Sequence, residues 1–321
     1  MTVTALRTAL GPLEVGDRVA VISPAGPTPV EQSQRAAELL GDWGLVPVFY
    51  PSTSGRHARA VYLSGSDEQR ARDLTDAWCD PDVTGIFCLR GGYGTVRVLD
   101  LLDADRMRAV QPKPVYGSSD ITALHEWLRE QLGVGSWFTP MIGTGSLLDD
   151  AAATAGLRSA VFEGLSGRRW TSDAAEILVP GRASGTLIGG NLSLLAMTVG
   201  ALTRPVLDHR GTIALLEDTH EETYRLDGYL ITLLRAGWFA GVAGVVLGSW
   251  SDCGPEAEIR DLCLELLGPL GVPMVGRLGF GHVAGAPSIP LGCTGLLVAE
   301  PVGPPELIVP DLPVDPGVRR D

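Results

Sequence analysis

Three apolar runs in the N-terminal part of the chain each end in a loop of glycine, serine or proline. They are VAVI before SPAGP (19–27), IFCL before RGGYG (86–94) and PVYG before SSD (114–120). A fourth strand is read at 45–51, LVPVFYP. The stretches between have helical spacing. One is 31–44, closed by Gly44. Another is 66–81, opened by Ser66 with Gln69 three residues on, a capping-box spacing, and followed by Pro81. TVRVLDLLD (95–103) reads as a short helix. Unbroken apolar runs suit strands buried on both faces. Strands alternating with helices give βαβ units and a parallel sheet with helices on both faces. Ligands bind such sheets beyond the carboxyl ends of the strands, so the SPAGP, RGGYG and GSSD loops are expected there together.

The pattern changes near residue 145. A chain of 321 residues fits one large or two ordinary domains. The expected organisation is an N-terminal α/β domain over 1–150, a linker over 151–175 and a C-terminal domain over 176–321. In the second part a helix is read within 149–167, short strands within 168–181 and 182–191, and a helix from 191 to 202. A strand, TIALLED (212–218), leads into a helix over 219–237 with a capping-box pair, Thr219 and Glu222, and with Gly237 at its end. A buried strand follows at 242–250, then a tail dense in glycine and proline.

Net charge is −13 and no Lys/Arg-rich run occurs, which removes the electrostatic footprint of a nucleic-acid binder. The same acidity disfavours anionic membranes. No secretory signal and no stretch of ~18 apolar residues is present, so the protein is expected to be soluble and cytoplasmic. The cysteines at 79, 88, 253, 263 and 293 form no C-x-x-C pair and read as small buried apolar residues. Neither G-x-x-x-x-G-K-[ST] nor G-x-G-x-x-G is present to hold a nucleotide.

The chemistry is concentrated in KPVYGSSDITALHEWLREQLG (113–133), read as a strand, an abrupt turn and an amphipathic helix. Ser119 stands in the turn, with Gly117 two residues earlier to let the backbone bend. The free N–H groups of the helix start point back at the turn, where a hydroxyl could attack a carbonyl. The turn is not G-x-S-x-G, because Ile121 replaces the final glycine. Taken alone, such a serine is more often a helix N-cap than a nucleophile. A nucleophilic serine needs a base and the base needs an orienting group. Of the five histidines, His57, His209 and His220 read as surface or structural residues. His125 lies too far along the helix to reach Ser119. His282, in LGFGHVAGAP with glycines at 279, 281 and 285, is the best candidate base. Glu217 and Asp218 end an apolar strand; Asp218 is expected to begin the solvated loop before the next helix. Asp218, His220, Glu221 and Glu222 could form a metal cluster by composition, but acids in a first helical turn already complement the helix dipole. Gly91 and Gly92 can bring backbone N–H groups close to a substrate.

Together GDRVAVISPAGP, SGSDEQRARDLTDAW, IFCLRGGYGTVRVLDLLD, KPVYGSSDITAL, GTLIGGNLSLLA, ALLEDTHEETYRLDGYLITLLRAG and GFGHVAGAPSIPLG resemble the LD-carboxypeptidase family of serine peptidases. That family includes muramoyltetrapeptide carboxypeptidases and microcin C self-immunity peptidases. The resemblance implies an α/β N-terminal domain with a parallel sheet, a smaller β-rich α/β C-terminal domain and an active site at their interface. It implies a triad of Ser119, Glu217 and His282. It also implies an oxyanion hole from the Asp120 amide and an amide of Gly91 or Gly92, with Gly92 favoured. No metal or organic cofactor is implied, and the expected assembly is a homodimer. The implied reaction releases terminal D-alanine from a cytoplasmic muropeptide tetrapeptide by cutting an L-to-D amide. Arg90, Gly91 and Arg204 are the candidate substrate-binding residues, the arginines for the terminal carboxylate. One alternative is cleavage of a peptidyl-nucleotide, with Trp170 or Trp250 as a platform for the base. Another is a non-catalytic small-ligand-binding module. The chain departs from the family's common pattern at Ser118, where an aromatic residue is frequent, at Asp227-Gly228 and at Gly200-Ala201.

Overall fold

The computed structural model describes residues 10–200 and 208–311. The apolar runs of the N-terminal part form β1 (Arg18–Ile22), β2 (Val46–Phe49), β3 (Gly85–Cys88), β4 (Val115–Gly117) and β5 (Ser136–Phe138). They pair in parallel in the order β5-β4-β3-β1-β2. Because side chains alternate across a strand, Ala20, Ile22, Ile86, Cys88 and Val115 pack on one face with Leu74, Trp78 and Leu124. Val19, Val21, Phe87, Tyr116 and Trp137 pack on the other with Leu40, Leu157 and Val161. Burial on both faces accounts for the unbroken apolar runs.

From β1 the chain steps to β2 on one side and then returns to β3 on the other, so the loops after β1 and β3 leave the sheet in diverging directions. That switch point opens a crevice. The two loops are tied beneath it, where Gly26 N–H donates to the Gly91 carbonyl at 3.1 Å. Arg70, fully buried, donates to the carbonyls of Pro24 and Gly94 and pairs with Asp67. Ser66 caps its helix, accepting from Gln69 N–H at 3.2 Å, but the expected box does not close, because Gln69 Nε2–H donates to Asp73 (2.6 Å).

The segment 95–103 is not a helix but two 3₁₀ turns, Thr95–Arg97 and Leu99–Leu101. Its start is held by the Asp120 carboxylate on Thr95 N–H (2.7 Å), and Arg97 is clamped to Asp67 (2.7 and 2.9 Å). The helix after Ser119 also differs from expectation. It opens with a 3₁₀ turn, Ser119–Ile121, continues as α-helix Thr122–Trp127 and ends in a π-helical turn, Leu128–Leu132. It is not amphipathic in the structure, because every residue from Thr122 to Trp127 is buried: the second half of the molecule covers its outer face. Its polar groups therefore find internal partners. His125 Nε2–H donates to the Gly117 carbonyl (2.8 Å), and Arg129 binds Glu126 (2.8 Å), Glu130 (3.0 Å) and His209 Nε2 (3.1 Å).

The second sheet holds β6 (Arg169–Trp170), β7 (Glu176–Val179), β8 (Gly181–Asn191), β9 (Thr212–Thr219), β10 (Gly244–Ser251), β11 (Met274–Gly276), β13 (Thr294–Ala299) and β14 (Glu306–Ile308), in the order β6-β14-β13-β8-β9-β10-β11-β7. Strands β8 to β11 are parallel and the flanking pairs antiparallel. Ala214, Leu216, Val245 and Leu247 face a helical layer with Leu226, Leu230 and Leu233. Ile213, Leu215 and Val246 face inward to Phe138, Ile289 and Leu291. The last two residues belong to β12 (Ile289–Leu291), which crosses back to pair antiparallel with β5 and joins the two halves. The stretch read as a linker, 151–175, is ordered structure. It contains the helix Ala151–Phe162, whose Leu157, Ala160 and Val161 enter the first sheet's core, and strand β6. The capping box at Thr219 and Glu222 does not form. β9 runs on through Thr219, paired with Ser251 of β10, and the helix starts at Thr223.

Candidate active site

Ser119 lies where β4 turns into its helix, with φ 57°, a left-handed conformation that a residue with a Cβ adopts only at a cost of ~1–2 kcal/mol. The bend is therefore carried by Ser119 itself and not by Gly117. What Gly117 supplies is space: a Cβ there would lie 3.0 Å from Ile121 Cγ1 and 3.2 Å from Cys88 Cβ. Next in the turn, Asp120 is buried, its carboxylate engaged by Thr95. Burial pushes the Asp120 pKa up against the hydrogen bond from Thr95. Gly91 packs directly on the serine. A Cβ on Gly91 would stand 2.8 Å from Ser119 Cβ, 2.9 Å from Ser119 Oγ and 3.4 Å from the Asp120 nitrogen. The R-G-G loop thus lies against both the hydroxyl and the amide that follows it.

From the other half of the molecule, β9 delivers Glu217, fully buried, and the loop after β11 delivers His282. His282 Nδ1–H donates to Glu217 Oε2 at 2.6 Å, which fixes the tautomer and leaves Nε2 basic. Burial works against a charged imidazole here, but the hydrogen bond and charge of Glu217, with the charge of Asp218, outweigh it. The His282 pKa stands above the ordinary value. The glycines around His282 have a clear use. At Gly281 (φ 113°) a Cβ would sit 2.5 Å from Ser249 Oγ and 2.7 Å from Glu217 Oε2. Only a glycine lets the loop lie on the acid. Ser249 and Ser251, on the same face at the end of β10, clamp the loop. His282 N–H donates to Ser249 Oγ (2.9 Å), and Ser251 Oγ donates to the His282 carbonyl (2.6 Å). Further along, Gly285 N–H donates to Asp150 Oδ2 (2.6 Å).

Asp218 does not begin a solvated loop. It is buried, accepting from Thr219 N–H, Ser193 N–H and Asn191 Nδ2, each at 2.8 Å. Burial and the neighbouring Glu217 push its pKa up to about 6 against those hydrogen bonds. His220 points outward, 3.5 Å from Asp252. The composition-based metal cluster is therefore dispersed between core and surface. Among the described residues the acidic and histidine groups close enough together to hold an ion are Glu126, Glu130 and His209, with the Arg129 guanidinium bonded to all of them.

Ser119 and His282 open onto one cleft of about 470 Å³, lined also by Arg90, Gly91, Gly92 and Met141. Arg90 donates to the Pro27 carbonyl at 3.1 Å and is the arginine of the cleft wall among the described residues. Arg204 lies outside the described residues. The SPAGP loop backs the wall through Gly26. Trp170 is buried with Nε1–H on the Ser288 carbonyl (3.0 Å), and Trp250 packs against the second core; neither lines the cleft. Sequence reasoning missed Asn191, Ser249, Ser251 and Asp150. The available signals were Gly-Gly-Asn at a strand end, serines two apart on a strand, and an aspartate before a helix.

The LD-carboxypeptidase N-terminal domain matches residues 19–139 and the LD-carboxypeptidase C-terminal domain residues 184–297. A Streptomyces coelicolor relative is 46% identical over 289 residues, covering 90% of this chain and 92% of its own. The murein tetrapeptide carboxypeptidase of Pseudomonas aeruginosa is 33% identical, covering 88% of this chain and 94% of its own. The crystal structure of the muramoyltetrapeptide carboxypeptidase of Oxalobacter formigenes superposes with a TM-score of 0.77 at 28% identity, covering 92% of this chain and all of that one. The chain belongs to the LD-carboxypeptidase family and is a serine-type carboxypeptidase. The expected two-part α/β architecture holds, with the cleft between the halves.

Proposed function

We propose that the chain releases terminal D-alanine from muropeptide tetrapeptides by hydrolysing an L-to-D amide, with Ser119, His282 and Glu217 as its triad. The observation that carries this reading is the strained Ser119 elbow sharing one cleft with His282, whose Nδ1 is fixed on a buried Glu217. His282 Nε2 takes the Ser119 proton as Oγ attacks the scissile carbonyl. Glu217 keeps the imidazole in the needed tautomer and stabilises its charged form. The oxyanion meets the amides of Asp120 and Gly92, a contribution of roughly 10²–10³ in rate per donor. His282 then protonates the leaving amine, and water resolves the acyl-enzyme. Packing of Gly91 against Ser119 and the Asp120 nitrogen supports a donor from the R-G-G loop beside that of Asp120.

Arg90 on the cleft wall suits the free carboxylate of a terminal D-alanine. The Pseudomonas relative's name, a murein tetrapeptide carboxypeptidase, supports the same substrate. Among the described residues no helix is long and apolar enough to cross a membrane, and every cysteine is free. Both fit action in the reducing cytoplasm, where the enzyme would work as a homodimer without a metal or organic cofactor. The deciding experiment offers the protein a disaccharide tetrapeptide and a peptidyl-adenylate analogue and follows both by mass. The tetrapeptide should lose one alanine residue. Cleavage of the adenylate alone would overturn the substrate, and cleavage of neither would make the chain a binding module.

A further inference from the structure

The Gly189-Gly190-Asn191 end of β8 has no part in the chemistry above, yet it lies where the two halves of the site meet. A Cβ on Gly190 would fall 2.5 Å from Thr122 Oγ1, and one on Gly189 would fall 2.2 Å from the Leu215 carbonyl oxygen. Two glycines in succession therefore let this strand end wedge between the nucleophile's helix and β9. The residue they deliver is 3% exposed, and its backbone N–H and both side-chain polar atoms are engaged. Asn191 N–H donates to Thr122 Oγ1 (2.9 Å), three residues beyond Ser119. Its carboxamide Nδ2 donates one hydrogen to Glu217 Oε1 (3.3 Å) and the other to Asp218 Oδ1 (2.8 Å). Its Oδ1 accepts from Ser193 Oγ (2.7 Å) and Leu194 N–H (3.3 Å), capping the helix Leu192–Thr198.

We propose that Asn191 is a positioning residue of the hydrolytic site, fixing the Glu217 carboxylate for His282 and locking it in register with the helix that carries Ser119. The inference rests on the triad reading above. The Glu217 carboxylate is gripped at both oxygens, Oε2 by His282 and Oε1 by Asn191. Two acids adjacent in sequence are buried side by side, and the one amide donates to both. Without that donor the pair would repel across a low-dielectric interior, and Glu217 could turn away from the imidazole. The titratable groups around the amide are Glu217 and Asp218 on β9 and His282 on its loop. The Cys253 thiol lies beyond β10, and burial together with nearby acids raises its pKa to about 11.

Asn191→Ser separates positioning from capping, since serine caps a helix nearly as well as asparagine but cannot donate to both acids. The expected result is a folded enzyme with thermal unfolding close to wild type. Its kcat on the disaccharide tetrapeptide should fall about 10–100-fold, the scale of a misplacement near 1 Å, with KM little changed. The acid limb of the rate profile should move to lower pH, because a Glu217 that turns away no longer offsets the burial that pulls the His282 pKa down. Asn191→Asp, equally competent as a cap, is the second variant; it should lose kcat likewise, while its acid limb moves to higher pH, because the added carboxylate favours the protonated His282. Wild-type kcat and an unmoved acid limb in either folded variant would overturn the inference. So would a loss of activity that only tracks the folded fraction. Ser119→Ala run in parallel keeps the two readings distinct: if it retains full activity, the triad itself is wrong, whatever Asn191 does.

Discussion

Replacing Gly91 by alanine should disable the cleft without unfolding the protein. Gly91 is not among the glycines with positive φ, so an alanine meets no backbone strain there. The whole effect comes from one methyl group. It would stand 2.8 Å from Ser119 Cβ and 2.9 Å from Oγ, whereas carbon atoms rest at about 3.5–4.0 Å, so one side must yield by about 1 Å. Gly91 has little room to recoil, because its carbonyl is held by Gly26 N–H at 3.1 Å and a Cβ on Gly26 would already lie 2.9 Å from that oxygen. The elbow is the part that moves. Overpacking of this size costs ~1–3 kcal/mol, which a domain of ordinary stability, ~5–15 kcal/mol, tolerates. Displacing a nucleophile by ~1 Å costs about 10² in rate. We therefore expect kcat for alanine release from a disaccharide tetrapeptide to drop about 100-fold, with thermal unfolding lowered by a few degrees only. Wild-type kcat in a fully folded Gly91→Ala protein would refute the packing of this loop on the nucleophile.

Glu217→Gln should lower kcat by about 10³–10⁴ and move the acid limb of the rate profile to lower pH: burial alone pulls the His282 pKa down once the carboxylate is gone, and a pH–rate series checks both. The same variant tests a stability linkage. A histidine whose folded pKa is raised stabilises the fold fully below its unfolded value, and that stability is lost as pH rises through the folded value, so Glu217→Gln should flatten this part of the denaturation-against-pH curve. Arg90→Met should raise KM for a tetrapeptide by 10-fold or more while an amidated terminal alanine, lacking the carboxylate, should be affected little; equal effects on both in steady-state kinetics would remove Arg90 from carboxylate binding. Incubation with EDTA should leave tetrapeptide hydrolysis unchanged, since the acids and histidine once grouped as a metal site are split between core and surface.

The first half of the fold was legible because its strands are buried on both faces, so β1, β3 and β4 announce themselves as apolar runs closed by glycine loops. What failed there failed for tertiary reasons. The helix after Ser119 carries His125, Glu126 and Arg129, which look like a solvated face in sequence, yet it lies under the second sheet and satisfies those groups internally. Asp218 was misread likewise. An acid at a strand end usually meets water, and beyond the adjacent Thr219 N–H it takes the distant Asn191 and Ser193 to make its burial tolerable. Ser119 and His282 stand out as candidates from local patterns, an elbow and a glycine loop, whereas only the family resemblance separates Glu217 from its neighbour Asp218. Serines two apart on a strand and an aspartate before a helix are visible in the sequence, but the partner they hold is not, because each bond to the histidine loop spans sequence-distant elements.

The central claim is that Ser119 cuts the terminal amide of a muropeptide tetrapeptide. It is tested most directly by following a disaccharide tetrapeptide by mass spectrometry with the wild-type protein and with Ser119→Ala side by side. The wild type should convert the substrate to the tripeptide with free alanine, and the variant should leave it intact while folding normally. Alanine release by Ser119→Ala at the wild-type rate would contradict the account.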